Sequence, residues 1–232
     1  MVIPAVSPDR WKDTLRCAVE GERWVALGVH PHAYGSLTDG QIIDALDWLR
    51  QLVRDHPSRI VAVGEVGFDQ QIDLHVSPLA RQAQIVRWHA ELALELDLPL
   101  VLHVLRAHAE ALAALKTLKL RELAGVIHSY SGGPELVDAY CRLGFMLSFA
   151  GSIVRQDARK PRAAVRLTPQ DRLLVETDAP DQLPFALASP VPGRCEPAHL
   201  TAIVAAAAQT RDTNVNEIER ITTQNAHRLF VI

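Results

Sequence analysis

The sequence predicts an α/β protein on a parallel sheet, a TIM-barrel-like fold whose seven strands are one βα unit short of a full barrel. Three observations point there. Strand-like and helix-like segments alternate along nearly the whole chain. The strand-like segments are continuous apolar runs, as in Ile60-Val61-Ala62-Val63 and Leu173-Leu174-Val175, which suits strands buried on both faces. Several of these runs stop on groups able to do chemistry, and a barrel builds its site at the C-terminal ends of many strands. An open doubly wound sheet is the alternative architecture.

In order, Met1 to Val6 reads as a short strand, followed by a helix from Arg10 to about Glu20 with Asp9 as its cap. Trp24 to Val29 is the second strand, ending in His30-Pro31-His32. Apolar residues at helical spacing (Ile42, Ile43, Leu46, Leu49, Leu52, Val53) make the next helix, which Pro57 closes. Ile60 to Val63 is a buried strand leading into Gly64-Glu65-Val66-Gly67-Phe68-Asp69. A long helix from about Pro78 to Leu96 precedes the strand Leu100 to His103, and Ala107 to Leu118 is helical again. Val126 to His128 is strand. Pro134 opens a helix to Arg142 with Gly144 as its stop. Phe145 to Phe149 is strand, followed by a basic loop. The strand from Leu173 ends on Glu176-Thr177-Asp178, and a loop with Pro184, Pro190 and Pro192 leads to helices Pro197–Thr210 and Val215–Phe230. No linker or composition break interrupts the series, so residues 1–232 are expected to form a single domain.

Composition narrows the function classes. The chain has 232 residues, 48% hydrophobic and 22% charged, enough for one large core. No apolar run is long enough for a bilayer, and the opening residues lack the basic and apolar regions of a signal peptide. Cys17, Cys141 and Cys195 are too few and too scattered for a disulfide framework, so a reducing, cytoplasmic setting is expected. A formal charge of −3 argues against broad wrapping of nucleic acid but leaves room for gripping a strand locally.

The chemistry concentrates in Glu65, His103, His128 and Asp178, each at the end of a buried strand. A single histidine after an apolar run is ordinarily a hydrogen-bonded rim residue. Four such groups at equivalent places on four strands suggest a shared divalent cation, and mixed imidazole and carboxylate ligation suits zinc or manganese. Glu176 and Asp178, two residues apart, point to one side of their strand and would repel without a cation or donors between them. Glu176 either holds a ligand histidine by its second nitrogen or pairs with an arginine.

Five segments now read together: Ala26-Leu27-Gly28-Val29-His30-Pro31-His32, Val63-Gly64-Glu65-Val66-Gly67-Phe68-Asp69, Leu98-Pro99-Leu100-Val101-Leu102-His103, Gly125-Val126-Ile127-His128-Ser129-Tyr130-Ser131-Gly132 and Leu174-Val175-Glu176-Thr177-Asp178-Ala179-Pro180. With the closing Thr222 to Phe230, they resemble the successive signatures of the TatD family of metal-dependent hydrolases, in order and over essentially the whole chain. The resemblance implies an amidohydrolase-type barrel, divalent metal (zinc, manganese or magnesium) and hydrolysis of phosphodiester bonds in DNA. It implies Glu65, His103, His128 and Asp178 as metal ligands. Glu65 bridges two ions, and Asp178 doubles as the base on a metal-bound water. By the resemblance His30 and His32 would line the pocket, a turn-forming role being the alternative, and Glu176 and Arg106 would stand in or behind it.

Two departures qualify it. The family opens with a strand ending in His-x-His, which is absent here, so about 30 residues or more of βα unit are missing. One metal site then keeps its ligands while the second is incomplete, and reduced activity is expected. The exposed edge of the first strand would call for a covering partner. The family's arginine two residues beyond the His103 position is Leu105 here, with Arg106 one step later. The basic run Arg155, Arg159, Lys160, Arg162 and Arg166 is either a solvated face or a contact for a nucleic-acid backbone. Cys195 stands where the family often has asparagine, and reads as a passive substitution. An esterase or deacylase using the same metal, and a catalytically impaired metal-binding remnant, are the competing readings of function.

Overall fold

The computed structural model describes residues 1–232 except 119–123, 185–186 and 188–191. The chain divides into two compact units, Met1–Val126 with Leu229–Ile232, and Ile127–Arg228.

In the first unit β1 (Val2–Pro4), β2 (Trp24–Leu27), β3 (Ile60–Asp69) and β4 (Leu100–Leu105) lie side by side in chain order, all parallel. Val2 stands opposite Trp24, and β1 forms the edge of this order within the unit. Every residue of β3 is buried, which explains its unbroken apolar character. Helices α1 (Trp11–Arg16), α2 (Asp39–Asp55), α3 (Leu79–Glu95) and α4 (His108–Thr117) alternate with these strands. A capping box starts α2: the Thr38 hydroxyl accepts from the Gln41 amide while the Gln41 side chain accepts from the Thr38 amide. Its stripe of Ile42, Ala45, Leu46, Leu49 and Leu52 is buried, each large side chain contributing about 1.5–3 kcal/mol.

Several boundaries differ from those read in the sequence. The first helix is only Trp11–Arg16. Asp9 accepts from the Ser7 hydroxyl instead of capping the helix, and the chain turns back through Gly21 at φ 76 to bridge Val19 with Arg23. β3 and β4 run past their expected ends to Asp69 and Leu105, so Glu65 and His103 lie inside strands. Glycine makes the β3 extension possible. A Cβ on Gly67 would sit 1.9 Å from the His103 carbonyl oxygen, so only glycine lets β3 stay paired with β4 there.

The second unit continues from β5 (Gly125–His128), followed in sheet order by β6 (Phe145–Phe149) and β7 (Leu173–Val175), with β6 and β7 parallel and Leu147 opposite Leu173. Its helices are α5 (Val137–Arg142), α6 (Arg159–Leu167), α7 (Leu200–Arg211) and α8 (Val215–Phe230). Gly144 at φ 94 ends α5 as expected. The strand read through Asp178 stops at Val175, leaving both carboxylates on the segment beyond it. The basic stretch read as a loop contains α6, whose buried face is only Ala164 and Val165, too thin an apolar stripe to announce a helix. Arg211 fastens its end by donating to the Val165 and Thr168 carbonyls at 2.8 and 2.7 Å. Asn225 of α8 donates to the Gln170 and Leu173 carbonyls at 2.8 Å each, tying that helix to the start of β7. Pro190 lies outside the described residues. Among the described residues no helix is long and apolar enough to cross a membrane, and the three cysteines are free.

Candidate metal centre

In the first unit, the segment leaving β2 delivers His30 and His32 beside Glu65 of β3 and His103 of β4. Two consecutive peptide groups there, Gly28-Val29 and Val29-His30, are anchored to α1, to α3 and to the segment after β1. The Trp11 indole donates to the Gly28 carbonyl at 3.0 Å, the Val29 amide donates to His89 Nε2 at 3.1 Å, and the His30 amide donates to the Val6 carbonyl at 2.9 Å. Pro31 begins a tight turn in which His30 Nδ1 accepts from the His32 amide at 3.2 Å. Tyr34, fully buried, donates its hydroxyl to the Gly67 carbonyl and accepts from the Gly67 amide, both at 3.1 Å. The two histidines are thereby pinned over the middle of β3.

Glu65 Oε1 lies 3.7 Å from His30 Nε2 and 3.3 Å from His103 Nδ1. Among the described residues His30, Glu65 and His103 form a group whose ligand atoms all lie within 4.8 Å of one another. Glu65 and His30 are buried, and His103 is nearly so. Two imidazoles and a carboxylate held this close, mostly out of water, are a donor set that fits a zinc- or manganese-type ion. The other nitrogen of His103 faces Asp69, with Nε2 3.3 Å from Oδ2, and His32 Nε2 approaches the same oxygen at 3.3 Å.

Asp69 has no exposed surface, yet its titration is displaced downward. Burial by itself would raise it. The hydrogen bonds from His103 and from the Gln71 amide, at 2.7 Å, outweigh burial and keep it an anion. His103 moves the opposite way. Burial would lower it, but hydrogen bonds to Asp69 and Glu65 together lift it to about 9. The two shifts agree: without a metal, His103 is an imidazolium between two carboxylates. A carboxylate behind a histidine whose other nitrogen faces a donor cluster is the arrangement that orients metal-binding imidazoles.

The second unit carries its own cluster. His128 Nδ1 lies 3.0 Å from Glu176 Oε1 and Nε2 lies 3.0 Å from Asp178 Oδ1, so each carboxylate meets a different nitrogen of one imidazole. Glu176 also accepts from the Ser129 amide, and Asp178 from the Gln182 amide group. The contact of Glu176 is thus with an imidazole. Ser129, at φ 43, turns the chain directly after His128.

The remaining candidates are more peripheral. Arg106 is exposed on a left-handed bend, φ 55, that ends β4. Arg155 makes a two-pronged pair with Asp157 at 3.0 and 2.8 Å. Arg162 donates to the Ile153 carbonyl and the Gln209 side chain, and Arg166 to the Thr210 carbonyl, so both serve packing. Arg159 and Lys160 are exposed on α6. Cys195 is buried, and burial raises its thiol, which suits a passive residue. Sequence reasoning gave His30 a pocket or turn role and passed over Asp69 and His89. Asp69 could have been noticed, because a second carboxylate closing a strand that already buries Glu65 needs buried partners.

Comparisons with known proteins agree with this layout. The family model described as TatD related DNase matches residues 1–231. A Bacillus subtilis protein, the uncharacterized metal-dependent hydrolase YabD, is 32% identical over 210 residues, covering 90% of this chain and 78% of the relative. The 3'-5' ssDNA/RNA exonuclease TatD of Edwardsiella piscicida is 33% identical, covering 89% of this chain and 77% of the relative. Among solved structures, the TatD homolog YjjV of Escherichia coli K12 superposes with a TM-score of 0.88 at 27% identity, over 100% of this chain and 86% of YjjV. An uncharacterized amidohydrolase from Saccharomyces cerevisiae, at 17% identity, shares the fold with a TM-score of 0.83. The fold is therefore TIM-barrel-like, of the amidohydrolase type.

Proposed function

Because this chain belongs to the TatD-related DNase family, we propose that it is a metal-dependent hydrolase of phosphodiester bonds with single-stranded DNA as its substrate. The observation that carries the proposal is the group of His30, Glu65 and His103, whose donor atoms gather within 4.8 Å on adjoining strands and their exits. These residues would hold the ion. When bound, it supplies a water of lowered pKa and polarises the phosphoryl oxygen. Asp69 keeps the His103 ring aimed at Glu65. His128 and Asp178 retain the roles that the family resemblance gives them, ligand and base. Glu176 supports that assignment by fixing one nitrogen of His128 while the other meets Asp178. His30, Glu65 and His103 offer three donors to one ion, so one well-held divalent ion per chain is expected. Arg106, Arg159 and Lys160 are the exposed cations best suited to phosphate contacts. The three free cysteines suit a reducing compartment.

The test incubates the protein and Mn²⁺ with a labelled single-stranded oligonucleotide and, separately, an aryl ester. Glu65→Gln and His128→Ala serve as controls. Metal-dependent shortening of the oligonucleotide that both variants lose is the expected result. Ester cleavage without DNA cleavage would favour the esterase reading. Neither activity, with no metal bound, would leave an inactive remnant.

A further inference from the structure

Beyond the residues that face the centre, α3 carries a buried imidazole that the proposed chemistry does not use. His89 has no exposed surface. Its two nitrogens are fully specified by backbone groups of known polarity. The Val29 amide can only donate, so Nε2 must present a lone pair to it at 3.1 Å. The Ile85 carbonyl can only accept, so Nδ1 must carry the hydrogen at 2.8 Å. The ring is therefore neutral and in one tautomer, and burial favours that by drawing its pKa down to about 4. Val29 immediately precedes His30. The carbonyl of the same Gly28-Val29 peptide is held by Trp11 and the next amide, that of His30, by the Val6 carbonyl; His89 supplies the anchor that reaches from α3.

We propose that His89 is a positioning residue: its imidazole sets the placement of the Gly28-Val29 peptide, one residue before His30, and so the position of the His30 ring relative to Glu65 and His103. The placement part stands on geometry alone; its consequence for metal affinity rests on the metal-centre reading above. An aliphatic residue would fill the space but leave the Val29 amide without its acceptor in an apolar interior, and the segment would shift to find another. Glutamine can restore both bonds, its carbonyl oxygen accepting from Val29 and its amide donating to Ile85. Asparagine carries the same groups on a shorter stem and falls short of Val29.

The experiment compares the full chain with His89→Gln, His89→Asn and His89→Leu. In metal-free protein the His30 imidazole signals are followed by NMR. Affinity for Mn²⁺ alone is then measured by calorimetry, with melting temperature recorded for each variant. His89→Gln should keep the His30 signals and bind Mn²⁺ as the unchanged chain does. His89→Leu and His89→Asn should displace or broaden those signals and weaken Mn²⁺ binding by roughly 10- to 100-fold, the usual effect of losing a support behind a ligand. If His89→Leu fails to fold, the Gln and Asn pair carries the comparison. His30 signals untouched by Leu or Asn, or changed equally by Gln, would overturn the proposal. If the unchanged chain binds no Mn²⁺, the metal-centre reading fails, and the His30 signals alone still decide whether His89 positions that segment.

Discussion

Metal binding should compete with a proton on His103, and the size of that competition follows from the metal-free geometry. Both ring nitrogens face carboxylates at 3.3 Å, and the ring's pKa is lifted to about 9. A ligand imidazole must be neutral, so ion binding has to expel the proton on the Glu65 side, leaving the other on Asp69. With a pKa near 9, about 0.3% of the rings are neutral at pH 6.5 and roughly a quarter at pH 8.5. Apparent affinity for Mn²⁺ should therefore strengthen on the order of 50- to 100-fold across that interval, with about one proton released per ion. Calorimetry in pairs of buffers with different ionisation heats measures both quantities. Asp69→Asn removes one of the two carboxylates. It should flatten the pH dependence and weaken binding at pH 8.5, because the ring loses its orienting partner. An affinity that is level from pH 6.5 to 8.5 in the unchanged chain, while Glu65→Gln abolishes binding, would show that the ion uses Glu65 without His103.

Three further outcomes are expected. In metal-free protein, stability should fall on both sides of pH 6.5. His103, raised when folded, contributes stability present below pH 6.5 that is lost as pH rises through about 9. His89, lowered to about 4, makes the folded state lose stability as pH falls from 6.5 to about 4. Each is worth up to about 3 kcal/mol, and urea titrations of the chain and of His89→Gln would resolve the acid limb. Tyr34→Phe strips the hydroxyl that serves both polar groups of Gly67 and should cost about 1–3 kcal/mol in the same titration; an unchanged midpoint would mean that water replaces the hydroxyl. Reversing Arg159 and Lys160 to glutamate should weaken oligonucleotide binding and lower its salt dependence by about one charge or more, whereas equal salt slopes would make that face of α6 a solvated one.

How much of this was legible beforehand depended on whether a residue's role follows from its own segment. The seven strands were, because unbroken apolar runs such as Ile60 to Val63 have few other uses. His103, His128 and the Glu176 and Asp178 pair announced themselves as polar groups abutting such runs. Boundaries failed where glycine intervened. Gly64 and Gly67 look like a turn in one dimension, but they let β3 continue against β4, because the missing side chains make room for backbone contact at Val101 and His103. α6 failed for the reverse reason, its charge concealing a narrow buried stripe. His30 and His89 were least visible of all. One nitrogen of each meets a neighbour in sequence, but the other reaches far: that of His30 toward Glu65, and that of His89 to the amide of Val29, 60 residues away. Nothing local separates a histidine that faces a ligand cluster from one that holds a peptide in place. The same long-range bonds that hid these residues assign them different work. His30 is held by its neighbours so that its ring faces Glu65 and His103, where an ion would sit. His89 spends both nitrogens on the backbone, so it can support a site but cannot take part in one.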